Sequence, residues 1–306
     1  MYGAPLLHDW RISLSYLARK LAVRVFPAGV KRFLLESIDV GYGGLARGRG
    51  LARIAGMPPS FLIIGAQRCG TTYLYDLLTE HPQIAKATHK EIHFFDRHFQ
   101  RGMQWYLGNF PPKRPALASD GCITGEATPT YLAYRSVPAR VRQLLPDIKL
   151  VALVRNPVDR AVSHYHHFRR LGYESRSFDE AISWEYDYLS NGNAPLLLDS
   201  PERRGDPLYL SHGCYARQLS FWLCDFEPEQ ILVLPAEQFF STPKPTIDIL
   251  TEFLSLPAMS PDIHRSPKQF AYPAIESRIR VRLEELFEPH NRELEALLRR
   301  PFHWDG

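Results

Sequence analysis

The stretch Phe61-Leu62-Ile63-Ile64-Gly65-Ala66-Gln67-Arg68-Cys69-Gly70-Thr71-Thr72 decides how the rest of the chain is read. Four consecutive apolar residues between turn formers are the pattern of a strand buried on both faces, as in a parallel sheet. A glycine-bounded loop follows. Thr71-Thr72 then open a helix whose Leu74, Leu77 and Leu78 share a face, and His81-Pro82 closes it. The loop has the Gly-x4-Gly-Lys-Ser/Thr spacing of a nucleotide phosphate loop, except that Thr71 stands where the lysine belongs. The backbone logic survives the exchange, because glycines let the chain wrap a phosphate and the N–H groups at the helix start point at it. What is missing is the cation that reaches the β- and γ-phosphates of ATP; Arg68, three residues earlier, supplies a positive side chain beside one phosphate instead. A tight strand–helix turn with no ligand satisfies the same pattern.

Working outward, Leu150-Val151-Ala152-Leu153-Val154 reads as a second buried strand. In ATPases such a strand often ends in an aspartate that helps to hold magnesium. Here it ends in Arg155, which attracts a phosphate and repels a metal, and Ser163 follows eight residues later in the next helix. An arginine and a serine beside a single-phosphate loop suit a ligand with two separated anionic ends. The plain alternative pairs Arg155 with Asp159. The pattern further predicts a helix near Val137–Leu145, a helix from Pro157, a strand at Ile231–Leu234, a helix over Thr246–Leu254 and a helical stretch Ile275–Leu298 broken near Pro289. Strands alternating with helices predict an α/β fold, a parallel sheet flanked by helices on both faces.

The 306 residues are 45% hydrophobic and 23% charged, ordinary proportions that exclude wholesale disorder and collagen-like repeats. A net charge of +4 is too small to argue for nucleic acid, and no nucleic-acid partner is expected. The charge is uneven, however: residues 1–56 carry nine basic and three acidic side chains. Leu14, Leu17, Leu21 and Val25 share a helical face there, with Arg19, Lys20 and Arg24 elsewhere around it. Such a helix either packs on its own domain or lies on an anionic membrane surface. Gly41–Gly50 reads as a flexible connector. No apolar run approaches the ~18 residues that cross a bilayer, and the N-terminus has no secretory-signal pattern. A cytoplasmic protein, peripheral at the membrane if the extension binds there, is the expectation. Cys69, Cys122, Cys214 and Cys224 follow no metal-binding spacing and read as reduced thiols. The clusters His164, His166, His167 and His81, His89, His93, His98 have no acidic or cysteine ligand at a recognised spacing, so no metal is expected.

These motifs carry a resemblance. Gly65 through Thr72 resembles the 5′-phosphosulfate loop of the sulfotransferases that use 3′-phosphoadenosine 5′-phosphosulfate (PAPS), and Arg155 through Tyr165 is similar to their 3′-phosphate segment. The likeness is closest to the heparan sulfate branch, the glucosaminyl 3-O- and N-sulfotransferases, and its bacterial relatives. That branch's segments recur in order: Lys90-Glu91-Ile92-His93-Phe94-Phe95-Asp96, Trp105-Tyr106, Gly125-Glu126-Ala127-Thr128-Pro129-Thr130-Tyr131, Tyr215 through Leu223, and Phe287 through Leu294. The likeness spans about residues 58–304 and implies one sulfotransferase domain over 57–306 behind the basic extension.

The resemblance implies PAPS as co-substrate, 3′-phosphoadenosine 5′-phosphate as product, and no metal. It places donor contacts at Gln67, Arg68, Cys69, Gly70, Thr71, Thr72, Arg155, Ser163 and Lys268. Glu91 becomes the base that activates an acceptor hydroxyl or, with less support, an amine. Arg68 stabilises charge on the departing oxygen, and His93 and Asp96 orient the base or touch the acceptor. Lys90, Asp96 and Glu126 are the implied acceptor contacts, and Phe94 and Phe95 are core residues. An ion pair of Glu91 with Lys90 or Arg97 is the plain alternative for that segment. Several positions depart from the family. Arg68 replaces its usual lysine, Ala127 replaces a lysine, Thr72 stands where 3-O-sulfating members have arginine, and Pro267, Gln269 and Phe270 alter the loop around Lys268. Lost cations in the acceptor cleft predict a small-molecule or glycan acceptor with little charge: a glycan, a glycolipid or a hydroxylated metabolite. A P-loop kinase and a catalytically degenerate nucleotide-binding module are the competing readings.

Overall fold

Leu150 through Val154 have no solvent exposure, and neither do Phe61 through Ile64, so two adjacent strands are covered on both faces. In the computed structural model, which describes residues 56–113, 121–201, 207–260, 272–302 and 304, they are the centre of one sheet. Its strands are β1 (Phe61–Gly65), β2 (Ile84–Lys86), β3 (Ile123–Ala127), β4 (Lys149–Val154) and β5 (Ile231–Pro235). All pairs are parallel, in the order β2-β3-β1-β4-β5. Chain direction out of β1 therefore diverges, toward β3 on one side and β4 on the other. Ligands bind such sheets outside the carboxyl ends of the strands at this switch point.

The expected helices are present as α1 (Thr71–Leu78), α3 (Val137–Leu144), α4 (Pro157–Leu171) and α8 (Pro243–Phe253). They are joined by α2 (Gly102–Leu107), α5 (Phe178–Ser190), α6 (Tyr215–Asp225), α7 (Ala236–Ser241) and α9 (Ser277–Leu298). The main core lies around the sheet. A second apolar cluster joins α4, α5 and α9 through Val158, Ala161, Ile182, Leu283 and Phe287. The expected break near Pro289 does not occur, and α9 runs through it. Proline removes one N–H, whose acceptor in a helix is the carbonyl four residues back. Here Glu285 and Pro289 are both exposed, on the face where water can take the place of the missing N–H, while buried Phe287 and Leu294 anchor the helix on either side.

β3 escapes a hydropathy reading, because Ile123-Thr124-Gly125-Glu126-Ala127 is neither apolar nor alternating. It forms because its neighbours need it. A Cβ on Gly125 would lie 2.6 Å from three atoms of the Phe61 ring, so glycine lets β1 and β3 close over an aromatic side chain. The expected basic amphipathic helix, the connector at 41–50 and Lys268 fall outside the described residues. Among the described residues no helix is long and apolar enough to cross a membrane, and no group of three or more His, Cys, Asp or Glu could hold a metal ion. Overpacking a fixed ring costs ~1–3 kcal/mol. Gly125→Ala is expected to lower unfolding free energy by that amount in chemical denaturation, without change in the slope of the transition.

Candidate active site

Two loops leave the switch point side by side. The Ala66 N–H donates to the Leu153 carbonyl at 2.7 Å, extending the β1–β4 contact past the sheet. Gly70 precedes α1 at φ +93, where an added Cβ would also come within 2.6 Å of the Phe240 ring. No side chain caps α1, so the N–H groups of its first turn are left for a ligand. The Thr71 side chain is buried and that of Thr72 exposed. The Cys69 thiol is buried, and that burial pushes its pKa up to about 11, so it stays protonated, while its N–H closes the loop on the Ala66 carbonyl at 3.2 Å. Gln67 offers its carbonyl to Arg160 at 3.4 Å.

At the end of β4, the Asn156 side chain caps α4 by accepting from the N–H groups of Val158 at 3.0 Å and Asp159 at 3.3 Å. The Tyr215 hydroxyl secures Arg155 between these elements, donating to its carbonyl at 2.8 Å and accepting from its N–H at 3.3 Å. The alternative pairing of Arg155 with Asp159 is not seen: Asp159 binds Arg280 at 2.6 Å. The Arg155 guanidinium stands 5.9 Å from the centre of the Phe240 ring, the ring that also backs Gly70.

Arg68 joins the two loops. Its Nε and Nη2 each donate to the Ser163 hydroxyl at 3.3 Å, and Nη2 also reaches the Tyr272 hydroxyl at 3.4 Å. The Tyr272 ring lies flat against His166, with centroids 4.6 Å apart and planes at 2°. Burial lowers the Arg68 pKa; Tyr272 opposes that, and Arg170 and Arg155 add to it. Three arginines therefore surround the space between the loops. An uncapped helix start on one loop, the Arg155 and Ser163 side chains on the other and the Arg68 cation spanning them match the charges of a nucleotide bearing a 5′ and a 3′ anion, so the residues present fit the PAPS donor.

The Glu91 segment closes the same edge. The Glu91 N–H donates to the carbonyl of Ala127 at the end of β3, at 3.0 Å. Glu91 and His93 hold left-handed backbone angles, φ 65 and 55, a conformation that costs a residue other than glycine ~1–3 kcal/mol and clusters at functional sites. The Glu91 carboxylate is 42% exposed, with Lys90 at 2.9 Å and His93 Nε2 at 3.9 Å. The Lys90 ion pair anticipated as an alternative is thus present, and it leaves the second oxygen facing His93. On the other side of the imidazole, Nδ1 lies 2.9 Å from Asp96 Oδ2, which also accepts from Thr130 at 2.8 Å. Glu91, His93 and Asp96 form a row of carboxylate, imidazole and carboxylate. Burial raises the Asp96 pKa, but the bonds from His93 and Thr130 outweigh it and hold the carboxyl below its ordinary value. Phe94 and Phe95 are fully buried.

Glu126 departs from the expected acceptor contact. It has no solvent exposure, and its carboxylate accepts from Thr128 at 2.7 Å, Tyr106 at 2.9 Å and Tyr131 at 3.0 Å. Burial raises its pKa, with the three hydroxyls pulling the other way. The same Tyr131 hydroxyl accepts from the Phe94 N–H at 2.9 Å, and Thr128 Oγ1 from the His93 N–H at 3.4 Å. Glu126 is the buried support of the Glu91 segment. A carboxylate fully occupied beneath the surface cannot touch an acceptor.

Sequence reasoning passed over Tyr272, Arg160, His167 and Arg170. His167 Nδ1 lies 3.1 Å from Arg170 Nη2. Burial, Arg68 and Arg170 push the His167 pKa down to about 4 while Glu91 pulls it back. A neutral imidazole thus lies within electrostatic reach of Arg68, Arg170 and Glu91. The helical spacing of Ser163, His167 and Arg170 on α4 held this signal, since positions four and three apart share a face.

A family model described as "Sulfotransferase domain" matches residues 58–295. The chain belongs to the sulfotransferase family. It is 30% identical over 272 residues to heparan sulfate glucosamine 3-O-sulfotransferase 3A1 of Mus musculus, an alignment covering 81% of this chain and 65% of the mouse protein. This chain thus spans just under two thirds of the length of that relative. Human heparan sulfate glucosamine 3-O-sulfotransferase 6 is 30% identical, with 85% of this chain and 76% of that protein covered. Among solved structures, a sulfotransferase from Alicyclobacillus acidocaldarius superposes with a TM-score of 0.61 and 30% identity, covering 80% of this chain and 97% of that one. These findings confirm the fold class and the family that the two loops pointed to.

The row through Asp96 gives this sulfotransferase a pH signature. A carboxyl whose folded pKa lies below its unfolded value adds stability above the unfolded value and loses it as pH falls through the folded one. The stability gap between wild type and Asp96→Asn is expected to be constant from about pH 5 to 6 and to shrink below the ordinary aspartate value of ~4. Urea denaturation at stepped pH measures it. A gap that widened on acidification would contradict the net downward shift.

Proposed function

We propose that this sulfotransferase moves the sulfuryl group of PAPS to a hydroxyl of a glycan or similarly hydroxylated acceptor, with Glu91 as the base. The observation that carries the reading is Arg68, one guanidinium spanning the phosphate loop and Ser163 of the second anion segment. The donor supplies an activated sulfuryl group. The residues of the chain do the rest. The first turn of α1 and the loop backbone hold the 5′ end, and Arg155 and Ser163 hold the 3′ phosphate. Glu91 takes the acceptor proton through the oxygen that faces His93, and Asp96 keeps the imidazole oriented. Arg68 places a fixed positive charge where negative charge grows on the leaving phosphate oxygen, an effect stronger in the transition state than in the ground state. Guanidinium keeps its proton, so Arg68 acts by charge and not as an acid.

The names of the relatives support a glycan acceptor, and the missing cation at Ala127 supports one less anionic than heparan sulfate. A kinase reading loses support at the same positions, since Thr71 and Arg155 replace the lysine and the metal-holding aspartate it needs. Adenosine 3′,5′-bisphosphate is expected to raise the melting temperature of the wild type more than ATP with magnesium does, and Arg155→Ala to abolish most of that shift. Glu91→Gln is expected to keep the shift while losing on the order of 10²–10⁴-fold in transfer of labelled sulfate from PAPS to a panel of neutral and acidic oligosaccharides. Preference for ATP with magnesium would overturn the reading, and unchanged transfer by Glu91→Gln would remove Glu91 from the base role.

A further inference from the structure

Arg160 is the largest polar side chain in the interior, with no solvent exposure, one turn of α4 before Ser163. Its guanidinium donates to the Gln67 carbonyl at 3.4 Å and the Tyr209 carbonyl at 2.5 Å, and lies 3.4 Å from His164 Nδ1. Burial, and then Arg160 itself, drive the His164 pKa well below its ordinary value, so that ring is neutral. Every partner of the buried cation is thus uncharged. Glu185, the carboxylate in the same interior layer, spends its oxygens on the N–H groups of Leu210 at 2.7 Å and Ser211 at 2.5 Å. The Arg160 Nε has no hydrogen-bond partner among the described residues. Burying a cation without a bound carboxylate costs several kcal/mol, and a methionine or leucine would fill the same volume without that cost.

The contact with Gln67 shows what the cation does. A trans peptide is planar, with its C=O and N–H pointing in opposite directions. Where Arg160 takes the Gln67 carbonyl from below, the N–H of the same peptide, that of Arg68, is turned to the other side of the loop. No acceptor among the described residues takes that N–H. The loop is tied to α4 twice, by Arg160 under Gln67 and by Arg68 over Ser163. A peptide free to flip would present its carbonyl oxygen to an incoming phosphate in place of the N–H. We propose that Arg160 is a positioning residue for the 5′ end of the donor: it locks the Gln67–Arg68 peptide with its N–H toward the anion and lends positive charge to the loop from beneath.

This inference rests on the donor reading above and is tested by ligands that separate the two anion sites. Affinities of the full chain for adenosine 3′,5′-bisphosphate and for adenosine 3′-monophosphate, which lacks the 5′ group, are measured by calorimetry for wild type, Arg160→Met and Arg160→Lys. Loss of a charge-assisted contact is worth about ten- to a hundredfold in affinity. Arg160→Met is expected to lose that factor for the bisphosphate and little for the 3′-monophosphate. Arg160→Lys, which keeps the charge but not the fork that spans two carbonyls, is expected to recover part of it. A purely structural role would lower both affinities alike or neither, and either result overturns the proposal. Should Arg160→Met fail to fold, Arg160→Lys carries the test, and an unchanged ratio of the two affinities in that variant overturns it equally. Failure of the wild type to bind the bisphosphate would instead sink the donor reading itself.

Discussion

The hydrogen bond from the Ala66 N–H to the Leu153 carbonyl, at 2.7 Å, is the constraint on which the site depends. It carries the contact of β1 with β4 one step beyond the sheet and through a shift in register between Ile63 and Gly65. Phe61–Ile64 and Leu150–Val154 are fully buried, so neither loop-bearing end can move without opening the core. The phosphate loop and the Arg155 loop are therefore placed by the sheet itself. Tyr215 adds to this: its hydroxyl satisfies both backbone groups of Arg155 and lies 3.7 Å from the Cys69 sulfur. One phenol on α6 thus fixes two loops against each other. A buried backbone group left without such a partner costs ~1–3 kcal/mol, which is why both loops hold their shape from the protein side.

The Glu91 segment is held differently, because residues 87–90 separate it from the end of β2. Its support is the Glu126 carboxylate, gathered by three hydroxyls from Tyr106, Thr128 and Tyr131. Two of those hydroxyls also accept backbone N–H groups from His93 and Phe94. The left-handed angles at Glu91 and His93 are thus maintained by a fully satisfied polar network, the arrangement in which buried polar groups specify one conformation. Stacked Phe94 and Tyr106, 4.4 Å apart at 13°, close the apolar side of the same segment. An exposed carboxylate poised over a rigid floor follows from a second carboxylate that never meets solvent.

How much of this was legible in the sequence depends on which force does the work. Buried apolar strands such as Phe61–Ile64 announce themselves by hydropathy, and the glycine and arginine positions of the two loops follow from what a phosphate requires. β3 was not legible to hydropathy, since Thr124, Gly125 and Glu126 interrupt any apolar run; Gly125 leaves space for the Phe61 ring and three hydroxyls hold the carboxylate. Pro289 misled for the converse reason: sequence shows the missing N–H but not that Glu285, its would-be acceptor, faces water. Tyr272 reaches the site from far along the chain, and contacts 204 residues apart, such as Arg68 with Tyr272, leave no local trace.

The exchange of lysine for Arg68 now has a physical account. A lysine is a compact point charge that reaches one acceptor group well, whereas guanidinium presents a rigid fork of donors. Here the fork is used as a fork, with two nitrogens on Ser163 and one of them shared with Tyr272. That geometry ties the loop to α4 through Ser163, while Arg160 ties it through the Gln67 carbonyl. The cost is a crowd of like charges, and both Arg155 and Arg170 depress the Arg68 pKa. Further cations would deepen the repulsion, and the neighbouring imidazoles supply none, since His164 and His167 are both held neutral by burial and by those arginines. The positive charge that remains sits on guanidinium groups, which keep it at any physiological pH. On the proposed reading, then, the protein side of the donor site holds its positive charge unchanged near neutrality.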